Sequence, residues 1–179
     1  MAEFTGQVDA RYGDADAAAP PWAEVEERLE DAPLYWLVTV RADGRPHAVP
    51  LVGVWHDQAF AFVTGQEEQK MRNLEANAHV AVTAGPLGAD GWAQGKDIVV
   101  EGTAARVTDD AWLRAVAAAY HTKYGADWPW QVDGDTFVTD TSGGPDTGGP
   151  GPGLVFQVTP VKVIVFGDDH GQTTYRQST

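Results

Sequence analysis

The sequence contains no cysteine, which removes disulfide bonds, thiolate metal sites and a thiol nucleophile from any account of it. Basic residues are scarce: 12 Lys and Arg stand against 26 Asp and Glu, for a formal charge of −14. A field of that sign repels phosphate polymers and anionic lipid surfaces, so neither nucleic acid nor membrane is an expected partner. No apolar run approaches the roughly 20 residues that a membrane helix requires, and Met1 to Ala19 lacks the basic-then-apolar order of a secretory signal, which points to a soluble, cytoplasmic protein. His47, His56, His79, His121 and His170 are scattered without ligand spacing, so no metal site is expected. A serine-hydrolase G-x-S-x-G elbow is missing, and the Gly-rich stretch near Gly143 to Gly153 has no Lys and no following helix, so it is not a phosphate loop.

What is present fits one domain. A chain of 179 residues buries roughly 70% of its unfolded surface, enough for a core without staples. Residues 1–19 mix Asp, Ala and Gly without periodicity and read as a flexible acidic arm. From residue 20 to 179 a single domain is expected. Trp22, Val25, Leu29 and Ala32 recur at helical spacing after Pro21. The segment LYWLVTV, the turn Ala42-Asp43-Gly44, RPHAVPLVGVW, the turn His56-Asp57-Gln58 and AFAFVT then read as a three-strand meander. Pro46 and Pro50 remove two amide donors from the middle strand, which fits an edge, a bulge or a ligand-facing position; edge protection alone would give the same pattern. A helix over Glu67 to Asn77, strands HVAVTAG and DIVVEGTAARV, and an Ala-rich helix capped by Thr108 and ended by Gly125 follow. Nine of the fifteen residues from Thr139 to Gly153 are Gly or Pro, so 139–153 reads as a flexible loop. GLVFQVTPVKVIVFG returns to the same sheet with a kink at Pro160. The sum is an α+β fold, a mainly antiparallel barrel with short flanking helices.

Chemistry points to one junction. A strand ending in Thr64-Gly65 that feeds a helix start leaves amides directed outward, and such amides bind anions. Lys70 and Asn73 share a helix face three residues apart, so Lys70 can reach back toward a phosphate while Thr64 offers a hydroxyl. The competing reading is a surface pair between Lys70 and Glu67. Tyr120, Tyr124, Trp128 and Trp130 form an aromatic row that is either a substrate-pocket wall or core.

From about Pro21 to Phe166 the chain resembles the pyridoxamine 5′-phosphate oxidase-like superfamily, especially its actinobacterial flavin- and deazaflavin-dependent oxidoreductases. The resemblance is carried by WLVTVRADGRPHAVPLVGVWHD, FVTGQEEQKMRNLEAN with its K-x-x-N-L helix, and VVEGTAARVTD. It implies the FMN-binding split β-barrel fold. It implies that Thr64, Lys70 and Asn73 hold the cofactor phosphate, that Val63, Gly65 and Gln69 also bind the cofactor, that Val49, Pro50, Leu51 and Val52 run along the tricyclic ring, and that Trp92 lies near the cofactor. It also implies a homodimer with the site at the subunit interface.

Where the oxidases that give the superfamily its name carry further basic residues, this chain has Ala48, Gly53 and Gln69, which turns the expectation away from pyridoxamine phosphate as substrate. The expected cofactor is the deazaflavin coenzyme F-420 or FMN, with Arg45, Arg72 and Lys96 as candidate cations for the acidic F-420 tail. The implied activity is hydride transfer between that cofactor and a small organic substrate, with no catalytic side chain assigned. The alternative is a non-catalytic flavin- or haem-binding protein of the same fold.

Overall fold

Period-two alternation and turn chemistry dictate most of the chain's strands. The computed structural model describes residues 4–13, 16–85, 96–139, 152–167 and 171–177. In chain order the elements are β1 (Phe4–Val8), α1 (Trp22–Asp31), β2 (Tyr35–Val40), β3 (Pro46–Leu51), β4 (Gly53–His56), β5 (Ala59–Thr64), α2 (Gln69–Ala76), β6 (His79–Ala84), β7 (Asp97–Arg106), α3 (Asp110–Tyr124), β8 (Trp130–Asp133), β9 (Thr136–Thr139), β10 (Leu154–Gly167) and β11 (Gly171–Gln177). The main sheet runs β1-β11-β10-β7-β6-β2-β3, β5 joins it through β10, and β4 pairs with β5. Its pairings are antiparallel. This is the split β-barrel with short helices around it.

Strand β10 is the hub. Its first part pairs with β5 (Leu154↔Thr64 to Val158↔Phe60), its last part pairs with β11 (Val163↔Tyr175 to Gly167↔Gly171), and β7 follows its other edge throughout. The change of partner falls where the β7 register shifts between Pro160 and Lys162. The kink expected at Pro160 is therefore a bulge, the place where a strand tolerates a missing donor.

Two apolar clusters result. One fills the barrel between α1, β2, β5, β7 and β10, with Tyr35, Leu37, Phe60, Phe62, Ile98 and Val163 at its centre. The other lies between β4, β5, β10 and α3, around Ala61, Leu113, Val116, Tyr120, Phe137 and Val155. Phe60 and Phe62 face the first cluster while Ala61 faces the second, because neighbouring strand residues point to opposite faces.

Four expectations need correction. The arm over 1–19 is not wholly irregular: Phe4–Val8 is a strand paired with β11 from Phe4↔Gln177 to Val8↔Thr173. Phe4 stacks on Trp22 with ring centroids 4.0 Å apart, and the Tyr175 hydroxyl donates to the Pro20 carbonyl at 2.6 Å. Tertiary docking thus supplies the order that the local sequence does not. The meander is two hairpins, β2–β3 and β4–β5, because the chain turns at Val52-Gly53 from one pairing partner to the other. A Cβ on Gly53 would lie 2.2 Å from the Phe60 ring, so only glycine permits that turn. The cap of α3 is Asp109, whose carboxylate accepts the Trp112 amide at 2.8 Å, not Thr108. Finally, Thr139 ends β9 and Gly153 bridges Phe137, so both ends of the expected Gly/Pro loop are paired; 140–151 lies outside the described residues.

Candidate functional site

The end of β5 delivers Thr64 into the interior, 1% exposed, with its hydroxyl donating to the Gly65 carbonyl at 3.2 Å. The chain then reverses over Gly65 to Glu68, where the Glu68 amide donates to the Gly65 carbonyl at 3.3 Å, and α2 begins. This geometry leaves the Gly65 N–H facing inward. Lys70, one helical position inside α2, brings its ammonium to the same point with a side chain only 10% exposed. Lysine is rarely so buried without a counter-ion. The Gly65 N–H and the Lys70 ammonium thus converge on one point.

Its occupant is the chain's own Glu68. One carboxylate oxygen accepts the Gly65 N–H at 2.6 Å, and the other pairs with the Lys70 ammonium. The lysine's partner is thus Glu68 rather than Glu67, which reaches Arg72 at 3.5 Å instead. Helix direction explains the difference, because Glu68 as the residue preceding α2 has a carboxylate free to fold back over the turn, whereas Glu67 points to solvent.

Beside the seat lies a cavity of about 210 Å3. Pro50, Leu51 and Val52 form one wall, Val63, Thr64, Gly65, Glu68 and Lys70 the floor and anionic end, and Tyr120, Trp128, Trp130, Pro152 and Gly153 the far side. The β3 wall is a sheet edge. Its register with β2 is unbroken from Tyr35↔Leu51 to Val40↔Pro46, so the donors missing at Pro46 and Pro50 belong to the side facing away from β2. At Pro50, which lines the cavity, edge protection and a cavity-facing position hold together; Pro46 is at the edge alone.

Two tyrosines of α3 fix the turn at which this wall ends. The Tyr120 hydroxyl is shared between the Val52 and Ala61 carbonyls at 3.3 and 3.4 Å. Tyr124 donates to the Gly53 carbonyl at 2.8 Å. Burial raises both hydroxyls above the ordinary tyrosine range, most strongly for Tyr120, so they remain neutral donors. On the far side, Trp130 packs between Trp128 and Phe137, with ring centroids 6.1 and 5.7 Å away. Gly153 closes that side so tightly that a Cβ would stand 2.5 Å from Val63 Cγ1.

Of the residues expected at the site, Pro50, Leu51, Val52, Val63, Thr64, Gly65 and Lys70 meet in this cavity, while Val49, Gln69 and Asn73 do not line it. Val49 packs against the barrel core. Asn73 is 1% exposed; it donates to Thr39 Oγ1 at 2.8 Å and accepts from Gln69 Nε2 at 2.8 Å, which ties α2 to β2. Burial, with Arg41 and Lys70 nearby, holds His47 beside Thr39 below the ordinary histidine range. Trp92 lies outside the described residues. Arg45, Arg72 and Lys96 do not line the cavity, and Arg45 and Arg72 are engaged with Asp43 and Glu67.

The aromatic row is divided. Tyr120, Trp128 and Trp130 face the cavity and Tyr124 supports the wall from behind. Sequence reasoning missed Glu68, Pro152 and Gly153. Only the fold-back of Glu68 and the pairing of Gly153 with Phe137 bring them in. Among the described residues, no group of three or more His, Asp or Glu could hold a metal ion. None of the described helices is long and apolar enough to cross a membrane.

A family model described as pyridoxamine 5′-phosphate oxidase matches residues 21–165. Among curated proteins none matches the sequence. Similar solved structures include HutZ, the haem storage protein from Vibrio cholerae, with 20% identity, TM-score 0.59, and coverage of 83% of this chain and 97% of that one. A haem-binding protein from Mycobacterium smegmatis is similar at 17% identity and TM-score 0.65, covering 89% of this chain and 60% of that one. A NimC/NimA family protein from Clostridium acetobutylicum follows at 12% identity and TM-score 0.56, covering 85% and 91%. At these identities the likeness is one of fold.

Proposed function

The chain belongs to the pyridoxamine 5′-phosphate oxidase family, and from that premise we propose that it holds FMN or the deazaflavin coenzyme F-420 in the cavity beside β3 and transfers a hydride between that ring and a small organic substrate. The observation that carries this reading is the convergence, in one cavity, of a sheet edge, a two-donor anion seat and an indole wall. These match the three parts of a ring bearing a phosphate: a flat polar edge, an anionic tail and two apolar faces.

When bound, the ring supplies the hydride chemistry. The chain's own residues do the rest. Gly65 N–H and Lys70 hold the anionic group, the free edge of β3 aligns the ring, and Trp128 and Trp130 exclude water from the reacting face. Tyr120 and Tyr124 keep Val52-Gly53 in place behind it. No side-chain base is required.

A second copy of the chain is part of the proposal, as a cytoplasmic homodimer. A cavity of about 210 Å3 is smaller than the roughly 300–1,000 Å3 of pockets that enclose a whole ligand of this size, so the ligand would extend beyond its mouth. Next to that mouth the outer face of the sheet carries Pro50, Trp36, Thr83, Val99 and Ile164 in one cross-strand row, with Trp36 48% exposed. A partner seated there would cover the row and supply the missing wall.

A second reading, a haem- or flavin-binding protein without turnover, is favoured by the haem proteins among the similar structures. Against it, the described walls of the cavity offer no histidine or methionine to an iron, and their tyrosine, Tyr120, gives its hydroxyl to the Val52 and Ala61 carbonyls. Titration of the purified protein with FMN, F-420 and haem, followed by hydride exchange with a nicotinamide donor, separates the two. Saturable binding of FMN or F-420, weakened by Lys70→Ala, with turnover supports the first reading. Haem binding alone, or tight flavin binding that never exchanges a hydride, refutes it.

A further inference from the structure

Both donors of the anion seat are satisfied from within the chain. We propose that Glu68 is an internal anion that competes with the ligand's anionic group for Gly65 N–H and Lys70, a latch that must swing out before a phosphate-bearing ligand can seat. The inference rests on the functional reading above and specifies the chemistry of the same cavity: the preferred ligand carries a compact anion, and its affinity is set by what it costs to displace Glu68.

Three observations converge. The contacts are those a phosphate oxygen would make, one with a backbone N–H at 2.6 Å and one with the buried ammonium. With Glu68 in place the seat is neutral, and a phosphate brought beside that carboxylate meets a like charge at contact distance, so the two cannot share the seat. The pair is also unequal in freedom. The Lys70 side chain is 10% exposed and Glu68 34%, so the carboxylate is the partner that can rotate into water. That rotation leaves the backbone contact of Glu68 with Gly65 intact, because that contact uses the amide rather than the side chain. A Cβ built on Gly65 would stand 3.4 Å from the Glu68 carboxylate oxygen, so the latch lies directly on the glycine it covers.

The test compares the full-length protein with Glu68→Gln and Glu68→Ala. Binding of FMN and of riboflavin, its phosphate-free counterpart, is measured by fluorescence, and thermal melting verifies that each variant is folded. Removing the competing charge is expected to tighten FMN binding by roughly tenfold or more while riboflavin changes by less than about twofold, because only the phosphate competes for the seat. Unchanged or weaker FMN binding by the folded variants overturns the latch. An equal gain for riboflavin also overturns it, since Glu68 would then gate the ring and not the anion.

Should neither FMN nor riboflavin bind any form, FMN is excluded as the cofactor and F-420 remains to be titrated as above. Inorganic phosphate then decides the latch, through the Gly65 amide resonance. A shift on adding phosphate to Glu68→Ala but not to the parent protein supports it, and no shift in either overturns it.

Discussion

Gly153→Ala tests the packing of the cavity wall with a single methyl group. The added Cβ would stand 2.5 Å from Val63 Cγ1, whereas carbon atoms in contact sit about 3.5–4.0 Å apart, so one side must yield by about 1 Å. Gly153 cannot move readily: it exchanges two backbone hydrogen bonds with Phe137 at 2.7 and 2.8 Å, and the next residue, Leu154, is paired with Thr64. Val63 is a β-branched residue on a paired strand, with few rotamers open to it. Overpacking of this kind costs about 1–3 kcal/mol, partly offset by the roughly 0.4–1 kcal/mol gained when alanine restricts the unfolded chain.

The expected net loss for Gly153→Ala is therefore about 1–2 kcal/mol, which at this chain length lowers Tm by roughly 2–8 °C. Val63→Ala alone leaves a small void and costs about 1–2 kcal/mol. Combined, the two substitutions remove the clash, so their joint cost should fall short of the sum by about 1 kcal/mol. Urea unfolding followed by both tryptophan fluorescence and far-UV circular dichroism measures each corner of the cycle. Additivity within about 0.5 kcal/mol would refute the close approach.

Phe4→Ala should cost about 3 kcal/mol by removing the ring stacked on Trp22; a melting temperature unchanged from that of the parent would show that β1 is not docked. Asn73→Ala should destabilise by about 1–3 kcal/mol, because Thr39 and Gln69 lose their shared partner, while leaving FMN affinity alone; a selective loss of FMN binding in a protein of unchanged stability would return Asn73 to the ligand site. Burial holds the Lys123 ammonium down to about 8, against an ordinary 10.5. The unfolded chain therefore binds that proton more tightly, and the penalty, complete below pH 8, is relieved as pH rises toward 10.5. The melting temperature of the parent protein relative to Lys123→Met should climb across that interval, and a flat or falling difference would contradict the assignment.

Where sequence and structure agree, the signal is local. Trp22, Val25 and Leu29 mark α1 because one helix face repeats every three to four residues, and the Asp57-Gln58 turn of β4–β5 closes with φ values of 48° and 60°. The approach of Lys70 to Gly65 was legible because five residues and one turn bring them together. Tertiary pairing obscured the rest. Phe4–Val8 is a strand only because β11, at the other end of the chain, offers it an edge. The β8–β9 hairpin has its own signal, Gly134-Asp135 between WQVD and TFVT with Gly134 at φ 59°, which is hidden among the aromatic residues. That Glu68 and not Glu67 meets Lys70 depends on the rotation at which α2 begins. Gly153 reaches the cavity from far along the chain, so no spacing announces it.

The position of β10 in the chain has a consequence for biosynthesis. Among the described strands, β5, β7 and β11 meet only through it, and it begins at Leu154. A nascent chain that has not yet exposed this segment holds β2–β3 and β4–β5 as separate hairpins, with the apolar edges of β5 and β7 open to other chains. The barrel closes in a late step made of long-range pairings, which are slow to form. Translation speed through the stretch that encodes β10, and the chaperones that bind extended apolar segments, would therefore govern the yield of folded protein more than events in the strands that precede it.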